Sequence, residues 1–478
     1  MLHRITVLPQ KLHITVPCGS NLLDALRDAG IFADAPCGGN GKCGKCRVTI
    51  DGEVRLACQT TVDRDMTVFT GIPLSTAQIQ SSSLSAPSSP VLAFDIGTTT
   101  VVGYLLDAVT GETLACDSRR NPQCAYGADV ISRIQYAVKN SAAPLTHRIR
   151  QCMDDMIRCL CNAVTTQPEK IERISIVGNP AMQQLFLGIY PENLAKIPFA
   201  PVLTKAESVK AAAYLPLLTN ADMHIVPDIS GFVGADTVAC ILSTELDRSE
   251  DLTLLVDIGT NGEMVLGSKH RMIACSTAAG PALEGANISC GMRGQAGAID
   301  HVRLENGTFH YSVIGGGEAE GICGSGLIDA VAAALDAGLL NSRGRIQNEE
   351  RVIQLTDKVV LTQEDIRQVQ QAKGAIAAGI HLMAQHLGVS LCDIRRVILA
   401  GAFGSYMDPK SACCIGLLPA ELADRITAVG NSAGEGAKQL ALQPDALART
   451  QEIADRTEYL ELVAVPEFPG CFARCMRF

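Results

Sequence analysis

Alternating apolar and polar positions open the chain and predict two β-strands followed by a helix. Residues 5–7 and 12–16 are short β-branched runs of the kind that form strands. Asn21 is a suitable N-cap for the next segment, and Gly30 is a stop signal. Apolar residues between them recur at the spacing of one helix face, which comprises Leu22, Leu23 and Leu26.

The longer part of the chain contains an internal sequence repeat. Residues 95–100 (DIGTTT) follow an apolar run at 91–94, and residues 257–262 (DIGTNG) follow another at 254–256. Each copy is followed by further strand-like runs and helical stretches. This predicts one α/β unit used twice, with the same turn after the same first strand and a cleft between the copies.

A serine- and proline-rich stretch separates these two parts. Residues 81–90 (SSSLSAPSSP) contain six Ser and two Pro, a composition that cannot build a core and is typical of a flexible linker. We therefore predict an N-terminal domain at 1–75, a linker at 76–90, and two lobes at 91–250 and 251–478.

Composition narrows the classes of function. The chain has 478 residues, 47% of them hydrophobic, which excludes wholesale disorder. Its net charge of −10 is unsuited to nucleic-acid binding. No apolar run approaches the ~18–20 residues of a membrane span, and no signal peptide opens the chain. We expect a cytoplasmic protein with no membrane or nucleic-acid partner, in which the 19 cysteines are metal ligands or free thiols.

Four of those cysteines surround a glycine-rich loop. Their spacing is Cys37-x5-Cys43-x2-Cys46-x11-Cys58. Four thiolates converging from a tight loop can hold two ferric ions, and glycines let backbone N–H groups approach the sulfides. A zinc ribbon is the alternative, but zinc sites usually have paired C-x2–4-C knuckles and only one such pair exists here. The spacing therefore favours a [2Fe–2S] cluster.

The two DIGT turns predict a nucleotide site without a P-loop. Glycine at the tip of such a turn lets backbone N–H groups approach phosphate, threonine hydroxyls add donors, and the aspartate can hold Mg²⁺ through water or orient an attacking water. The predicted catalytic residues are Asp95 and Asp257. The predicted phosphate-binding residues of the turns are Gly97, Thr98, Thr99, Gly259, Thr260 and Asn261.

Two further glycine turns fit the same prediction. Gly401 and Gly404 follow the buried strand predicted at 397–400, where bare backbone can accept an adenosine. Gly324 lies at the start of a helix whose glycine-rich N-terminus suits phosphate binding or close interlobe packing.

These motifs together resemble a known family. Residues 37–58 resemble a [2Fe–2S] ferredoxin-type domain. Residues 95–100, 257–262 and 400–405 resemble the phosphate and adenosine motifs of the acetate/sugar kinase–Hsp70–actin superfamily. With residues 176–182 and 279–293, the combination resembles the reductive activators of corrinoid enzymes over nearly the whole chain.

The resemblance implies ATP-dependent reduction of a corrinoid protein of a methyltransferase system, from inactive Co(II) to Co(I). The implied fold is α/β overall, a β-grasp ferredoxin-like domain followed by a duplicated actin-like or ribonuclease-H-like ATPase domain with two lobes. The implied cofactors are the [2Fe–2S] cluster, ATP and Mg²⁺. The implied partners are the corrinoid protein, an external low-potential electron donor, and a second copy of the chain bound through the ATPase domain.

Three alternatives stay open at this stage. A small-molecule kinase with a fused ferredoxin would need a general base near the phosphate, and none of the acidic residues Asp228, Asp236, Glu263 and Glu284 stands out. An activator of another low-potential enzyme, such as a dehydratase, would typically bridge a [4Fe–4S] cluster between subunits. A non-enzymatic ATP-sensing redox scaffold would show no ATP turnover stimulated by a corrinoid protein.

Overall fold

The computed structural model describes residues 2–8, 12–29, 31, 46–70, 80–81, 87–305, 307–404 and 406–478. This part of the chain divides into two compact units. Unit 1 comprises residues 1–236 and 437–448, and unit 2 comprises residues 237–436 and 449–478.

The N-terminal domain (residues 2–70) is a small mixed sheet with one helix packed on it. The strand order is β2-β1-β5-β3-β4, with β1 and β5 parallel and the other neighbours antiparallel. The predicted helix is confirmed: Asn21 caps it, and its apolar face is buried in the core of the domain. The elements are β1 (Leu2–Leu8), β2 (Leu12–Pro17), α1 (Leu22–Asp28), β3 (Arg47–Ile50), β4 (Glu53–Leu56) and β5 (Met66–Phe69).

The first lobe (residues 80–81 and 87–236, from which the last helix continues to residue 244) is built on a larger mixed sheet in the order β11-β12-β10-β7-β8-β9-β6. Its strands are β6 (Gln80–Ser81), β7 (Pro90–Ile96), β8 (Thr100–Asp107), β9 (Thr113–Arg120), β10 (Arg173–Gly178), β11 (Glu207–Lys210) and β12 (Asp222–Ile225). Its helices are α2 (Val130–Lys139), α3 (Ala143–Ala163), α4 (Pro180–Leu187) and α5 (Ala235–Thr244).

After residue 250 the chain repeats this pattern. The strands are β13 (Thr253–Ile258), β14 (Gly262–Gly267), β15 (Met272–Thr277), β16 (Ala298–Glu305), β17 (Thr308–Val313), β18 (Gly321–Ile322), β19 (Val352–Gln354), β20 (Val360–Thr362), β21 (Arg396–Ala400), β22 (Ile426–Gly430) and β23 (Thr457–Tyr459). The helices are α6 (Gly324–Asp336), α7 (Gln363–Leu387), α8 (Gly401–Gly404), α9 (Pro409–Cys414), α10 (Ser432–Leu442), α11 (Ala446–Arg456) and α12 (Phe468–Cys475).

The predicted duplication is confirmed by the two large sheets. In the first lobe the order β12-β10-β7-β8-β9 runs parallel, parallel, antiparallel and antiparallel between neighbours. In unit 2 the order β22-β21-β13-β14-β15 has the same directions. Both first strands, β7 and β13, are buried along most of their length, because sheet neighbours and helices cover them.

Parts of the expected linker are attached to the first lobe. The backbone of β6 pairs with residues 115 and 116 of β9. The backbone N–H groups of Ser88 and Ser89 donate to the carboxylate of Asp107 at the end of β8, and Pro90 is buried as the first residue of β7. The expectation of a tether up to residue 90 is therefore wrong for residues 87–90, because the Asp107 carboxylate, 18 and 19 residues after the two serines, fixes their backbone.

The N-terminal domain contacts the first lobe through Arg27 at the end of α1. The Arg27 side chain is 5% exposed; it donates to the backbone carbonyl of Ala125 and lies over the ring of Tyr126, 5.5 Å from its centroid. It also pairs with Asp24 at 3.1 Å. Arginine over an aromatic face is a favourable contact, so this residue holds the two parts of unit 1 together.

Unit 1 also takes in a segment from far along the chain. The Ser175 hydroxyl and the Arg173 guanidinium, both on β10, donate to the backbone carbonyls of Ala437 and Ala441 in α10. Two side chains of a first-lobe strand therefore find their hydrogen-bond acceptors in residues more than 260 positions later.

None of the helices in the described part of the chain is long and apolar enough to span a bilayer.

Candidate functional site

Two of the four predicted cluster cysteines lie side by side in the N-terminal domain. The Sγ atoms of Cys46 and Cys58 are 3.2 Å apart, and Cys46 is 1% exposed. A disulfide would bring them to about 2.05 Å. Two thiolates on one tetrahedral metal at about 2.3 Å lie roughly 3.8 Å apart, so a small side-chain movement suffices for shared ligation. Cys37 and Cys43 lie outside the described residues.

The position of Cys58 is fixed from two directions. The backbone N–H of Ala57 donates to the carbonyl of Cys46 at 2.8 Å. The side-chain amide of Asn21 donates to the carbonyl of Cys58 at 2.9 Å, while its Oδ1 caps α1 by accepting from the N–H of Leu23 at 3.0 Å. Asn21 therefore joins the start of the helix to the cysteine. This half of the donor set fits a four-thiolate cluster.

The first DIGT turn is held by the protein through its carbonyl oxygens. Asn121 donates from its side chain to the carbonyl of Gly97 at 2.8 Å and from its backbone to the carbonyl of Thr99 at 2.9 Å. The side-chain amide of Asn179 donates to Thr98 Oγ1 at 3.0 Å. A Cβ on residue 97 would lie 2.7 Å from the carbonyl oxygen of Thr100, so only glycine fits. The turn is thus preorganised next to Asp95 at the end of β7.

A buried guanidinium lies behind this turn. Arg133 is 0% exposed; it donates to the carbonyls of Thr98 and Gly127, and it reaches Met182 Sδ at 3.1 Å. Burial lowers the pKa of Arg133 below its ordinary value. A cation beside a phosphate-binding turn favours an anion there, because buried charges interact strongly in a low dielectric.

The second DIGT turn has a carboxylate partner of its own. Thr260 is buried, and its hydroxyl lies 3.2 Å from both carboxylate oxygens of Glu284. The turn is closed by the N–H of Gly259, which donates to the carbonyl of Asn261 at 2.9 Å. A Cβ on residue 259 would meet Glu284 Oε1 only at 3.7 Å, so the glycine is not required by contact with that carboxylate.

Asp257 and Gly401 form the other side of this site. A Cβ on residue 401 would lie 2.5 Å from Asp257 Oδ1, and Gly401 has a φ of +85°, where only glycine is unstrained. Asp257 Oδ2 accepts from the Cys240 thiol at 3.7 Å. Burial raises the pKa of Asp257 to about 6, and the Cys240 contact offsets this in part.

The remaining glycines divide into two kinds. Gly404 closes α8, where a Cβ would lie 3.3 Å from Leu399 Cβ. Gly324 begins α6 as predicted, and a Cβ on Gly326 would lie 2.4 Å from the carbonyl oxygen of Ile299 on β16. This glycine-rich helix start therefore packs closely against β16 inside unit 2, while close interlobe packing of the helix start stays a prediction. The assignment of Gly324 and Gly404 to the nucleotide stays a prediction.

Sequence reasoning missed several residues that support these sites. They are joined to the turns by contacts over 17 to 81 positions of chain, which periodicity does not report. A local signal existed for Asn179, because Asn-Pro directly after a strand is typical of a helix start. The missed residues are Asn121, Arg133, Asn179 and Cys240, while Glu284 was considered only as a general base and not as a support of the turn.

Three family profiles match the chain along its length. The profile described as the C-terminal domain of RACo, the ASKHA domain, matches residues 251–478. The RACo middle region matches residues 91–249, and the 2Fe-2S iron-sulfur cluster binding domain matches residues 5–72.

Curated relatives are similar over most of the chain. The chain is 36% identical over 406 residues to the corrinoid activation enzyme RamQ of Eubacterium limosum. This match covers 79% of this chain and 68% of that one. The chain belongs to this family of corrinoid activation enzymes. It is also 28% identical over 397 residues to the [Co(II) methylated amine-specific corrinoid protein] reductase of Methanosarcina barkeri, with 76% of this chain and 72% of that one covered.

A solved structure of this family resembles the whole chain. The structure is described as a reductive activator for a corrinoid, iron-sulfur protein; the TM-score is 0.74 with 29% sequence identity, and the match covers 100% of this chain and 98% of that one. The predicted fold, a ferredoxin-type domain followed by an ASKHA domain, is confirmed. Membership of the corrinoid activator family also favours the corrinoid interpretation over the kinase, the dehydratase activator and the redox scaffold.

Proposed function

We propose that this corrinoid activator passes one electron from a [2Fe–2S] cluster to the cobalt of a corrinoid protein of a methyltransferase system, reducing inactive Co(II) to Co(I) at the expense of ATP. The observation that carries the proposal is the presence, in one chain, of the Cys46–Cys58 pair and two preorganised phosphate turns. The family match over the whole chain supports the same conclusion.

The cluster would be held by Cys37, Cys43, Cys46 and Cys58. When bound, such a cluster supplies single electrons at about −400 mV in plant-type proteins. The chain's own contribution is position: β3 carries Cys46, and Asn21 fixes the carbonyl of Cys58. The domain also shields Cys46 from water, since this residue is buried.

ATP would be bound by residues of both DIGT turns. We assign the phosphates to backbone N–H and hydroxyl groups of Gly97, Thr98, Thr99, Gly259, Thr260 and Asn261. Gly324, Gly401 and Gly404 would allow close approach of the nucleotide to backbone. Asp95 and Asp257 would hold Mg²⁺ through water, which is why a pair of strand-end carboxylates is needed.

ATP has a thermodynamic task in this reaction. Corrinoid Co(II)/Co(I) couples are expected below the potential of the cluster, and for one electron a gap of about 100 mV corresponds to roughly 2.3 kcal/mol. A ligand can offset that gap only through different affinities for two states of the complex. Two turns on duplicated sheets give ATP many contacts that can differ between such states.

We also propose an electron donor, an oligomeric state and a cellular location for this reaction. An external low-potential donor would reload the cluster, and a second copy of the chain would associate through the ATPase domain. A cytoplasmic location would preserve the cysteines, since none of those that the structure describes forms a disulfide.

Anaerobic spectroscopy tests the function. The purified activator, a corrinoid protein from the same genome, a low-potential reductant and MgATP are mixed, and cobalt reduction is followed by the Co(I) absorption and by loss of the Co(II) electron paramagnetic resonance signal. Reduction that requires ATP supports the proposal. Asp257→Asn is expected to abolish it, while Asp251→Asn, an exposed aspartate beside the same strand, is the matched control. Cobalt reduction at the same rate without ATP would contradict the proposal.

A further inference from the structure

A carboxyl group that the proposed mechanism does not use is buried in the first lobe. Asp228 follows β12, is 3% exposed, and has two carboxylate oxygens without a hydrogen-bond partner among the described residues. An ionised carboxylate is costly to bury unpaired. Burial raises the pKa of Asp228 well above its usual range, and the negative charge of Asp236 adds to this. The N–H of Ala235 offsets the shift in part, without reaching normal hydrogen-bond geometry.

Asp228 and Asp236 form a pair of interacting carboxyl groups, and the surroundings of Asp236 differ from those of Asp228. It lies in the first turn of α5, where the helix N-terminus favours a negative charge, and it is less deeply buried than Asp228. Among the described residues, Asp236 is the charged group that shifts Asp228. When two neighbouring carboxyl groups have such different surroundings, one keeps the proton and the other is ionised. Here Asp228 keeps it.

The start of α5, which carries Asp236, follows a glycine that packs against the residues holding the first phosphate turn. Gly234, two residues before Asp236, packs so tightly on the start of α4 that a Cβ there would lie 2.6 Å from Pro180 Cδ and 2.9 Å from the Cα of Asn179. Asn179 in turn donates to Thr98 Oγ1 at 3.0 Å. Two direct contacts therefore connect the turn to the start of α5. The loop between the two aspartates is closed by Ile229 and Ser230, whose N–H groups donate to the carbonyl of Val233.

We infer that Asp236 accepts the proton of the water that attacks the γ-phosphate of ATP, and that Asp228 is a positioning residue that keeps one proton in the pair. The inference rests on the proposed function, since it places ATP in the first turn. In the step, the water oxygen forms a bond to the γ-phosphorus, the bond from that phosphorus to the β,γ-bridging oxygen breaks, and ADP leaves with the bond's electrons. The water proton goes to the Asp236 carboxylate.

The two aspartates then have different expected phenotypes. Loss of a general base typically costs 10²–10⁴ in rate, so Asp236→Asn should lower single-turnover ATP hydrolysis at least about 100-fold. Asp228→Asn should lower the rate at neutral pH much less than Asp236→Asn does, because a neutral amide replaces a neutral acid of the same shape. Where the rate of the natural protein declines at high pH through loss of the Asp228 proton, Asp228→Asn should remove that decline.

The experiment is single-turnover hydrolysis of ATP across pH by the holoprotein with its corrinoid partner, with ATP binding measured separately by calorimetry. Asp222→Asn is the matched control, an exposed aspartate of β12 paired with Lys210. Asp236→Glu keeps a carboxylate and should retain the decline at low pH that Asp236→Asn loses. This variant gives a reading even where Asp236→Asn binds ATP poorly.

The outcomes separate this inference from the proposed function. If the natural protein neither binds nor hydrolyses ATP, the proposed function fails. If it hydrolyses ATP and Asp236→Asn matches Asp222→Asn in rate and pH profile, the assignment of the base is wrong while the function stands. If Asp228→Asn is as slow as Asp236→Asn, Asp228 must be ionised, which overturns the proton assignment.

Discussion

Gly401 lies so close to Asp257 that a Cβ on residue 401 would be 2.5 Å from the carboxylate oxygen Oδ1. The glycine directly follows the strand β21 and the aspartate lies in the neighbouring parallel strand β13, so the two strands bring the pair to the same edge of the sheet. Ligand sites in open α/β sheets lie at this carboxyl edge. A ligand of the second turn is therefore expected beside this contact.

Replacing Gly401 by Ala should weaken ATP binding. The new Cβ would displace the Asp257 carboxylate, and the backbone φ of +85° adds strain of about 1–3 kcal/mol. We expect at least a tenfold rise in the dissociation constant for MgATP, measured by calorimetry. Gly388→Ala is the matched control, because Gly388 has a φ of +68° and open space around its Cα. Equal effects of the two substitutions on ATP binding would show that backbone strain alone is responsible.

Replacing Cys46 or Cys58 by Ser should remove the cluster. In the proposed cluster each thiolate is one of four ligands, and the two Sγ atoms lie 3.2 Å apart. We expect loss of the [2Fe–2S] absorption and of about two irons per chain in anaerobically purified protein. Cys18→Ser, an exposed thiol in the same domain, should keep both. Full iron content in Cys58→Ser would exclude Cys58 as a ligand.

Replacing Lys373 by Met should reduce the rise in the free energy of unfolding between neutral and alkaline pH. Lys373 is buried on α7 and donates to the carbonyl of Arg477, and burial lowers its pKa to about 8. The unfolded chain keeps that proton up to about pH 10.4. Between these values the unfolded state binds more protons, so the free energy of unfolding rises with pH in the natural protein.

Urea unfolding at pH 7.5 and pH 9.5, followed by circular dichroism, measures this effect. The natural protein should gain stability relative to Lys373→Met over that interval, whereas the exposed Lys410→Met should follow the natural protein. A Lys373→Met variant with the natural pH dependence would show that the Lys373 side chain does not titrate in this range.

Replacing Arg27 by Ala should loosen the N-terminal domain from the first lobe. The substitution removes the contact with the Ala125 carbonyl and with the Tyr126 ring, together worth about 1–3 kcal/mol. Amide hydrogen exchange in residues 122–139 should accelerate several-fold. Arg64→Ala, an exposed arginine of the same domain, should change nothing there. Unchanged exchange in Arg27→Ala would mean that other contacts hold the domain.

Much of the fold could be read from local patterns, because those patterns have local causes. Asn21 and the leucines after it predict a capped helix, and the structure confirms both. The repeated DIGT segments predict duplicated sheets because a strand and its following turn are contiguous in the chain. The same reasoning placed a linker up to residue 90, and it failed at 87–90, where Asp107 supplies the anchoring carboxylate.

The supports of the sites could not be read in this way. Glu284 reaches Thr260 across 24 positions, and Asn179 reaches Thr98 across 81. The sequence positions of Glu284 and Asn179 do not indicate their partners. Each contact depends on how separate strands are brought to one edge of a sheet. Asp228 is similar: its chemical interest comes from its burial, and a single aspartate after a short strand gives no sign of that.

Completion of unit 1 by residues 437–448 has a consequence for synthesis on the ribosome. The carbonyl groups that satisfy Arg173 and Ser175 of β10 emerge more than 260 residues after these side chains. At about 5–20 residues per second, the first lobe waits roughly 15–50 s before those partners are made. During that interval its nascent sheet exposes a surface that the finished protein covers. Chaperone contact is therefore expected to concentrate on the nascent first lobe and to end once α10 has left the exit tunnel.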